Sequence, residues 1–326
     1  MFDTFLRAIQ TDLAFYQNIG LLLLMVILSS LIRIPRKYQP LYFYIEMAKR
    51  FSSKVNRPQR SAQQKAIAGS LSSIFLVFPI WFIISFFIEL AAFPFFFEAL
   101  ILFICLADNG FIRESRRIAV LIHEGHTDSA KHNLSLWCQR ETTSLSPVGL
   151  SKACIEKMAQ ISSTSSSLVI FSFLAGGIDA VMITALFKQL DYAWPQTNSA
   201  FKSFSALPFL INQIIFIIPY SVYLLLFSVT NMKALTQLMS SVMHKTKYGV
   251  YSKVIELTAI KLNVELGGPR IYQQQKQSTP KFKYGAHPTP QNVIQAQQKF
   301  SSMNVLMVAG IMIYLFSHFV FSIKSF

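Results

Sequence analysis

Long apolar blocks constrain this chain more than any other feature of its sequence. A membrane-spanning helix needs about 20 mostly apolar residues, because it must cross a hydrocarbon core about 30 Å thick. Charged residues make up only 14% of the chain, against about 25% in soluble domains. We therefore predict an all-α fold: a polytopic helical membrane protein with about six transmembrane helices. The predicted spans are 18–32, 67–88, 92–107, 167–187, 205–229 and 302–322.

Basic residues are distributed unevenly between the predicted spans. Segments 33–66, 108–166 and 230–301 hold nine, seven and ten Lys and Arg, which is 26 of the 30 in the chain. Because cytoplasmic loops of membrane proteins are enriched in Lys and Arg, we predict that all three segments are cytoplasmic and that both termini lie outside. This places a multi-pass protein in the plasma (inner) membrane.

The net charge of +15 also bears on partners. A basic face is attracted to anionic lipid headgroups, so membrane lipid is an expected partner. No nucleic acid is expected, because no recognised nucleic-acid-binding module accompanies the charge.

We interpret the chain as a single membrane domain, 1–326, with cytoplasmic helical hairpins at 111–160 and 230–272. The block 67–107 is too long for one span and contains Glu89 and Pro94, which predicts a tight hairpin of two spans. Gly267-Gly268-Pro269 is typical of a helix end. The Gln-rich stretch 273–298 is predicted to be a flexible loop.

Few motifs indicate chemistry directly. His123-Glu124-Gly125-His126 lacks the spacing of a zinc-binding HExxH helix and is predicted to lie in a turn between two helices. The three cysteines are expected to be small buried apolar residues, and no metal site is expected. In the fourth span, Gly176-Gly177 is expected to permit close helix packing. Asp179 after it either has a function, lies near a water-filled groove or pairs with a neighbouring helix.

Two polar segments contain short motifs in a fixed order. The first holds Arg140-Glu141-Thr142, then Ser146-Pro147 and Glu156, and the second holds Leu266-Gly267-Gly268-Pro269 and Tyr272. A Leu190-Asp191 pair lies between the two segments. This order resembles that of the CobD/CbiB family of integral membrane proteins, in which an Arg-Asp-Thr signature precedes a helix and a Glu, and a Leu-Gly-Gly-Pro motif precedes a Tyr.

The resemblance implies an activity like that of adenosylcobinamide-phosphate synthase in cobalamin biosynthesis. That enzyme joins aminopropanol phosphate to the corrinoid cobyric acid through an ATP-dependent amide bond, so a corrinoid substrate, ATP and Mg²⁺ are implied. Carboxylates would serve Mg²⁺, and arginines would bind phosphate. The implied catalytic residues are Arg140, Glu141, Glu156 and Asp191. The implied substrate-binding residues are Thr142, Gly267, Gly268, Arg270 and Tyr272. The resemblance therefore also predicts that Gly267 lies near Arg140, Glu141 and Glu156.

The chain also departs from the family pattern. Glu141 stands where the family has Asp, and Gln160, Asn212 and Gln213 are neutral where the family has acids. AmpE, a member of the same superfamily linked to β-lactamase induction, also lacks most of the catalytic pattern. The alternative is therefore a catalytically degenerate, AmpE-like membrane protein with a regulatory or sensing role.

The motif residues have structural alternatives of their own. Glu156 with Lys152 could form an i, i+4 surface pair. Arg140-Glu141-Thr142 could be a solvated helix end.

Overall fold

Helices dominate the part of the chain that the structure describes. The structure is a computed structural model that describes residues 13–32, 34–196, 198–229, 249–272 and 275–324. The helices are α1 (Leu13–Leu31), α2 (Pro40–Val55), α3 (Ala62–Glu89), α4 (Pro94–Cys105), α5 (Gly110–His123), α6 (Thr127–Ser135), α7 (Pro147–Thr164), α8 (Ser166–Ala193), α9 (Ala206–Val229), α10 (Gly249–Leu262) and α11 (Pro290–Lys324). Short 3₁₀ turns at Arg36–Tyr38 and Ala107–Asn109 precede α2 and α5.

Within the described residues, six helical segments are long and apolar enough to cross a membrane. They are Leu13–Leu31, Ala62–Glu89, Pro94–His123, Pro147–Ala193, Ala206–Phe227 and Pro290–His318. Each overlaps one predicted span, which confirms the prediction of an all-α fold with about six helices suited to a membrane. Large apolar side chains such as Phe82, Phe96 and Ile313 are exposed on these helices, as expected where lipid replaces water.

The helix ends follow local sequence signals. Ser61 caps α3 in a capping box with Gln64, and the Ser146 hydroxyl accepts a hydrogen bond of 3.2 Å from the Gly149 amide at the start of α7. Gly125, with φ of +83°, lies in the turn between α5 and α6. The predicted turn at His123–His126 is therefore confirmed. The predicted hairpin 111–160 contains three helices rather than two.

Helix α7 lies at the centre of the main core. Leu150, Cys154, Ile155 and Met158 have no exposed surface. The helix contacts α5, α6, α8, α9, α10 and α11. Because it is surrounded by protein, its polar residues also lie in the interior.

In the described part of the chain, two short antiparallel sheets follow α10. Strand β1 (Glu265–Gly267) pairs with β4 (Lys281–Lys283), and β2 (Arg270–Tyr272) pairs with β3 (Gln275–Gln277). The predictions of a wholly helical hairpin at 230–272 and of a flexible loop at 273–298 are therefore wrong for the described residues, and α11 already begins at Pro290. Residues 230–248 of the predicted hairpin lie outside the described residues.

The Gly267-Gly268 pair belongs to a strand and its turn, so its interpretation as a helix end is wrong. Helix α10 ends at Leu262, and Asn263 adopts the left-handed conformation with φ of 52°. Gly267 has φ of +74°, and a Cβ atom there would lie 2.1 Å from the Pro280 carbonyl oxygen. Only glycine therefore lets the two strands approach this closely.

Helix α8 is kinked at Gly176-Gly177. Both residues have non-helical dihedral angles, and Gly177 has φ of +61°. The glycines thus break the helix, and the expectation that they serve close packing is wrong. Just beyond the kink, the Asp179 carboxylate accepts hydrogen bonds from Trp81 Nε1 at 2.8 Å and from the Ser85 hydroxyl. Asp179 therefore pairs with the neighbouring helix α3, which confirms one of the interpretations given for it above.

Candidate functional site

Glu156 of α7 is the centre of a buried ion-pair network. Its side chain is 3% exposed, and Oε2 lies 3.1 Å from Arg140 Nη2 and 3.0 Å from Arg270 Nη2. The Gly267 amide donates a hydrogen bond of 2.7 Å to Oε1. Two guanidinium groups and a backbone amide thus offset the cost of burying this carboxylate. The network joins the two motif segments, so their predicted proximity is confirmed.

The same geometry rules out the two surface interpretations of these motifs. Arg140 and Arg270 are only 11% and 12% exposed at their side chains. The Thr142 side chain is buried and donates to the Lys131 carbonyl at 3.1 Å. Arg140-Glu141-Thr142 is therefore not a solvated helix end, and Glu156 is not a surface partner of Lys152.

Lys152 instead pairs with Glu265 on β1. Lys152 Nζ lies 2.9 Å from Glu265 Oε1, and Lys281 Nζ lies 3.0 Å from Oε2. Burial would raise the pKa of Glu265, but the hydrogen bonds from the two lysines lower it to about 2. The pair fixes β1 against α7, which places the Gly267 amide in reach of Glu156.

A backbone hydrogen bond fixes the segment that contains Arg140 against strand β2. The Glu141 amide donates to the Ile271 carbonyl at 3.0 Å, so the segment after α6 runs beside β2. This contact places Arg140 and Arg270 on the same side of Glu156.

The network lines a cavity of about 700 Å³. Its charged lining residues comprise four cations and two acids, a net charge of +2, which favours anionic ligands. These residues are Arg140, Glu156, Lys157, Asp191, Lys202 and Arg270. Side-chain amides and hydroxyls cover much of the remaining wall, and Phe209, Phe216 and Phe282 form an apolar part. A cavity of this size suits a small polar ligand, since ligand pockets measure roughly 300–1,000 Å³.

Six of the nine predicted site residues line this cavity. They are Arg140, Glu156, Asp191, Gly267, Arg270 and Tyr272. Glu141, Thr142 and Gly268 do not belong to the lining. Gly268 instead serves the strand connection, where its amide donates to the Pro280 carbonyl at 2.8 Å.

Lys157 is a lining residue that sequence reasoning missed. Its ammonium lies 4.2 Å from the Tyr192 ring centroid and 3.2 Å from Gln160 Oε1. The available signal was a second lysine in the helix, directly after Glu156. Cys138 also lines the cavity. Burial raises the pKa of its thiol although Arg140 lowers it, so Cys138 is not an activated nucleophile.

A second buried ion-pair cluster, also missed, surrounds Asp108. Its Oδ1 lies 2.6 Å from Arg36 Nη1 and its Oδ2 lies 2.8 Å from Lys188 Nζ. The Arg36 guanidinium lies 4.7 Å from the Trp137 ring centroid. These charged residues do not line the cavity. No motif connects them in sequence, and only the fold brings them together.

A family model described as CobD/Cbib protein matches residues 22–300. The chain belongs to the CobD/CbiB family. Membership of the CobD/CbiB family suggests a role in cobalamin biosynthesis. The matched range contains every charged residue of the cavity lining. Comparison with curated proteins and with solved structures found no significant match.

The ATP and Mg²⁺ implied for a CobD/CbiB ligase can be tested against these residues. Arg140, Arg270 and Lys157 fit phosphate groups, because they are cations that line one cavity. In the described ranges, no cluster of three or more His, Cys, Asp or Glu could hold a metal ion. Mg²⁺ that arrives with a nucleotide needs only one or two protein carboxylates, since phosphate oxygens supply other ligands. Asp191 fits that role, whereas Glu156 is committed to the arginines.

Proposed function

We propose that the cavity around Glu156 is the active site of an amide ligase of the CobD/CbiB type. Its substrates would be a corrinoid carboxylic acid and an aminopropanol phosphate. One observation carries the proposal: the buried Arg140–Glu156–Arg270 network lies in the wall of a cationic cavity. A carboxylate buried between two arginines holds them in fixed positions, which is what binding an oxyanion requires.

The two arginines would bind the phosphate groups. A guanidinium has five N–H donors, so an arginine can bind Glu156 and a phosphate oxygen at the same time. Glu156 is then a positioning residue, which acts through Arg140 and Arg270. Lys157 adds a third positive charge on the same wall. These cations would also stabilise negative charge that develops as the amide forms.

Asp191 would hold Mg²⁺ in the same cavity. It is half-buried and lines the cavity at the end of α8. When bound, ATP with Mg²⁺ would supply the activation of the substrate carboxyl group. The apolar wall at Phe209 and Phe216 would keep water away from the activated carboxyl group, which water would otherwise return to the free acid.

Cavity size limits how the corrinoid binds. About 700 Å³ accommodates the phosphate arm and the reacting carboxyl side chain. The corrin ring with its peripheral side chains is larger, so the ring would rest at the mouth of the cavity.

Complementation of a bacterial strain that lacks the synthase tests the proposal. The unmodified chain should restore growth that depends on cobalamin synthesis. Asp191→Asn should abolish it at unchanged expression, because it removes the proposed Mg²⁺ ligand. Asp128→Asn is the matched control, since the Asp128 side chain is 96% exposed and does not line the cavity. Failure of the unmodified chain, expressed and inserted, would reject the ligase assignment.

One observation favours the AmpE-like alternative. Gln160, Asn212 and Gln213, neutral where the family has acids, all line the cavity. If those acids are needed for chemistry, the cavity binds a ligand without converting it. The double variant Gln160→Glu with Asn212→Asp separates the two functions. An inactive parent that gains complementation on this change would support a degenerate, ligand-sensing protein, whereas an active parent would contradict it.

A further inference from the structure

A second cavity, of about 1,000 Å³, opens on the surface of the protein between α2 and α3. We name it the α2–α3 groove. Its lining is almost wholly apolar and includes Phe51, Leu71, Phe75, Phe78 and Phe82. The Phe51 and Phe75 rings stack at 5.9 Å, so α2 and α3 form one continuous wall. The groove is separate from the cavity around Glu156 and does not depend on the function proposed for it.

The groove runs along a membrane-spanning helix. Its lining on α3 extends from Ala68 to Phe82, about 21 Å at 1.5 Å per residue. One leaflet of the hydrocarbon core is about 15 Å thick, half of the whole. The groove is therefore long enough for one extended acyl chain that starts at the N-terminal end of α3.

Arg60 is the charged residue of the groove lining, and it lies at that same end. Its side chain is held in place, because Nη1 donates to the Val55 carbonyl at 3.1 Å. The positive end of the α3 dipole also lies here. An apolar channel with a fixed cation at one end matches an amphiphile with a negative headgroup.

The surrounding sequence strengthens this charge asymmetry. Residues 47–88 contain six basic residues and no Asp or Glu. The nearest acid before this stretch, Glu46, already pairs with Lys49 at 2.8 Å. A second copy of the chain on this surface would bring like charges together, whereas an anionic lipid would neutralise them.

We propose that the α2–α3 groove binds one anionic phospholipid, with an acyl chain along α3 and the phosphate against Arg60. The groove binds a lipid from the surrounding bilayer, and free phosphate lacks the chain that fills the apolar part. The lipid would fix α2 against α3.

Native mass spectrometry of the full chain in detergent tests this proposal. Phosphatidylglycerol and phosphatidylcholine with identical acyl chains serve as probes. We expect one retained phosphatidylglycerol adduct and weaker retention of phosphatidylcholine. Arg60→Gln should weaken phosphatidylglycerol binding about 5-fold, the effect of one basic residue at an anionic surface. Arg57→Gln is the charge control, because Arg57 is exposed and does not line the groove.

A second pair of variants tests the apolar part of the groove. Leu71 and Ile67 are both 62% exposed on α3, but only Leu71 lines the groove. Leu71→Trp should abolish the adduct and Ile67→Trp should retain it, and neither change removes a buried residue. The proposal would be overturned if Arg60→Gln and Arg57→Gln weakened the adduct equally, or if Leu71→Trp and Ile67→Trp did. Equal retention of the two lipids would also overturn it. A dimer mass in place of the adduct, lost in Leu71→Trp, would overturn it in favour of a second copy.

Discussion

Two buried carboxylates in this protein have similar partners but different surroundings. Glu156 and Asp108 are each about 3% exposed at the side chain, and each is bound by two cations within 3.1 Å. Glu156 and both of its arginines line a cavity. Asp108, Arg36 and Lys188 do not, and their cluster joins the two 3₁₀ turns to α8.

The difference indicates that a buried ion pair is not by itself a sign of function. A closed cluster can only hold elements together, and it is costly to break because neither partner can reach water. A cluster in a cavity wall can exchange part of its hydrogen bonding with a ligand or with water. Access of ligand or water to the ion pairs therefore distinguishes the candidate site from a cluster that serves only stability.

The largest effect on stability is expected from Asp108→Asn. The change leaves Arg36 and Lys188 as uncompensated charges in a closed interior, which costs about 3–5 kcal/mol. Thermal unfolding in detergent should show a large loss of stability, and the yield of folded protein should fall. A free energy of unfolding within about 1 kcal/mol of that of the unmodified chain would show that the Asp108 cluster does not hold the fold together.

Glu156→Gln sharpens the comparison, because we expect it to reduce activity more than stability. Removing a charge that fixes the two arginines proposed to bind phosphate should lower the proposed ligase turnover by at least about 100-fold. Water in the cavity can solvate Arg140 and Arg270, so the same unfolding assay should show a smaller loss than for Asp108→Asn. An equal loss of stability in Glu156→Gln and Asp108→Asn would contradict the claim that only the Glu156 network is open to water.

Arg270→Lys probes the geometry of the open cluster. Lysine keeps the charge but loses the planar fork, which in the proposed function binds Glu156 and a phosphate together. We expect the KM for the phosphate-bearing substrate to rise about 10-fold, the equivalent of 1.4 kcal/mol, with a smaller change in kcat. A change confined to kcat would instead place Arg270 at the reacting atoms.

The smallest effect is expected from Glu265, a third carboxylate that two lysines bind at the edge of the fold. Its pKa in the folded protein is about 2, below the ordinary value of 4.5. Its contribution to stability is therefore complete above about pH 4.5 and is lost as the pH falls towards 2.

Glu265→Gln should remove this acid dependence in unfolding assays between those two pH values. Its cost at neutral pH should be smaller than that of Asp108→Asn, because Lys281 is 42% exposed and water can solvate its charge once the carboxylate is gone. An unchanged acid dependence would show that the lysine partners do not hold Glu265 ionised.

Sequence reasoning predicted the spans well because apolar length is a strong local signal. It missed the four strands, because segments of three residues such as Lys281–Lys283 are too short to show alternation. It also misread Gly267-Gly268. A glycine pair is equally suited to a helix end and to a close strand contact, and only the position of Pro280 distinguishes them.

The candidate site was predictable only where motifs occur in a recognisable order. The motif segments around Arg140 and Gly267 were expected to meet, and Glu156 joins them. Lys157 carries no motif, and Arg36 is 72 residues from Asp108, so neither contact leaves a local pattern. Such contacts depend on how the helices pack, which this sequence alone does not specify.

Amide formation by the purified full chain tests the central claim most directly. The protein would be incubated with cobyric acid, aminopropanol phosphate and Mg-ATP, and the amide product would be measured. The account predicts product from the unmodified chain, at least about 100-fold less from Glu156→Gln, and an unchanged yield from Asp128→Asn. No product from folded, unmodified protein, or equal product from Glu156→Gln, would contradict the assignment of this cavity as a ligase site.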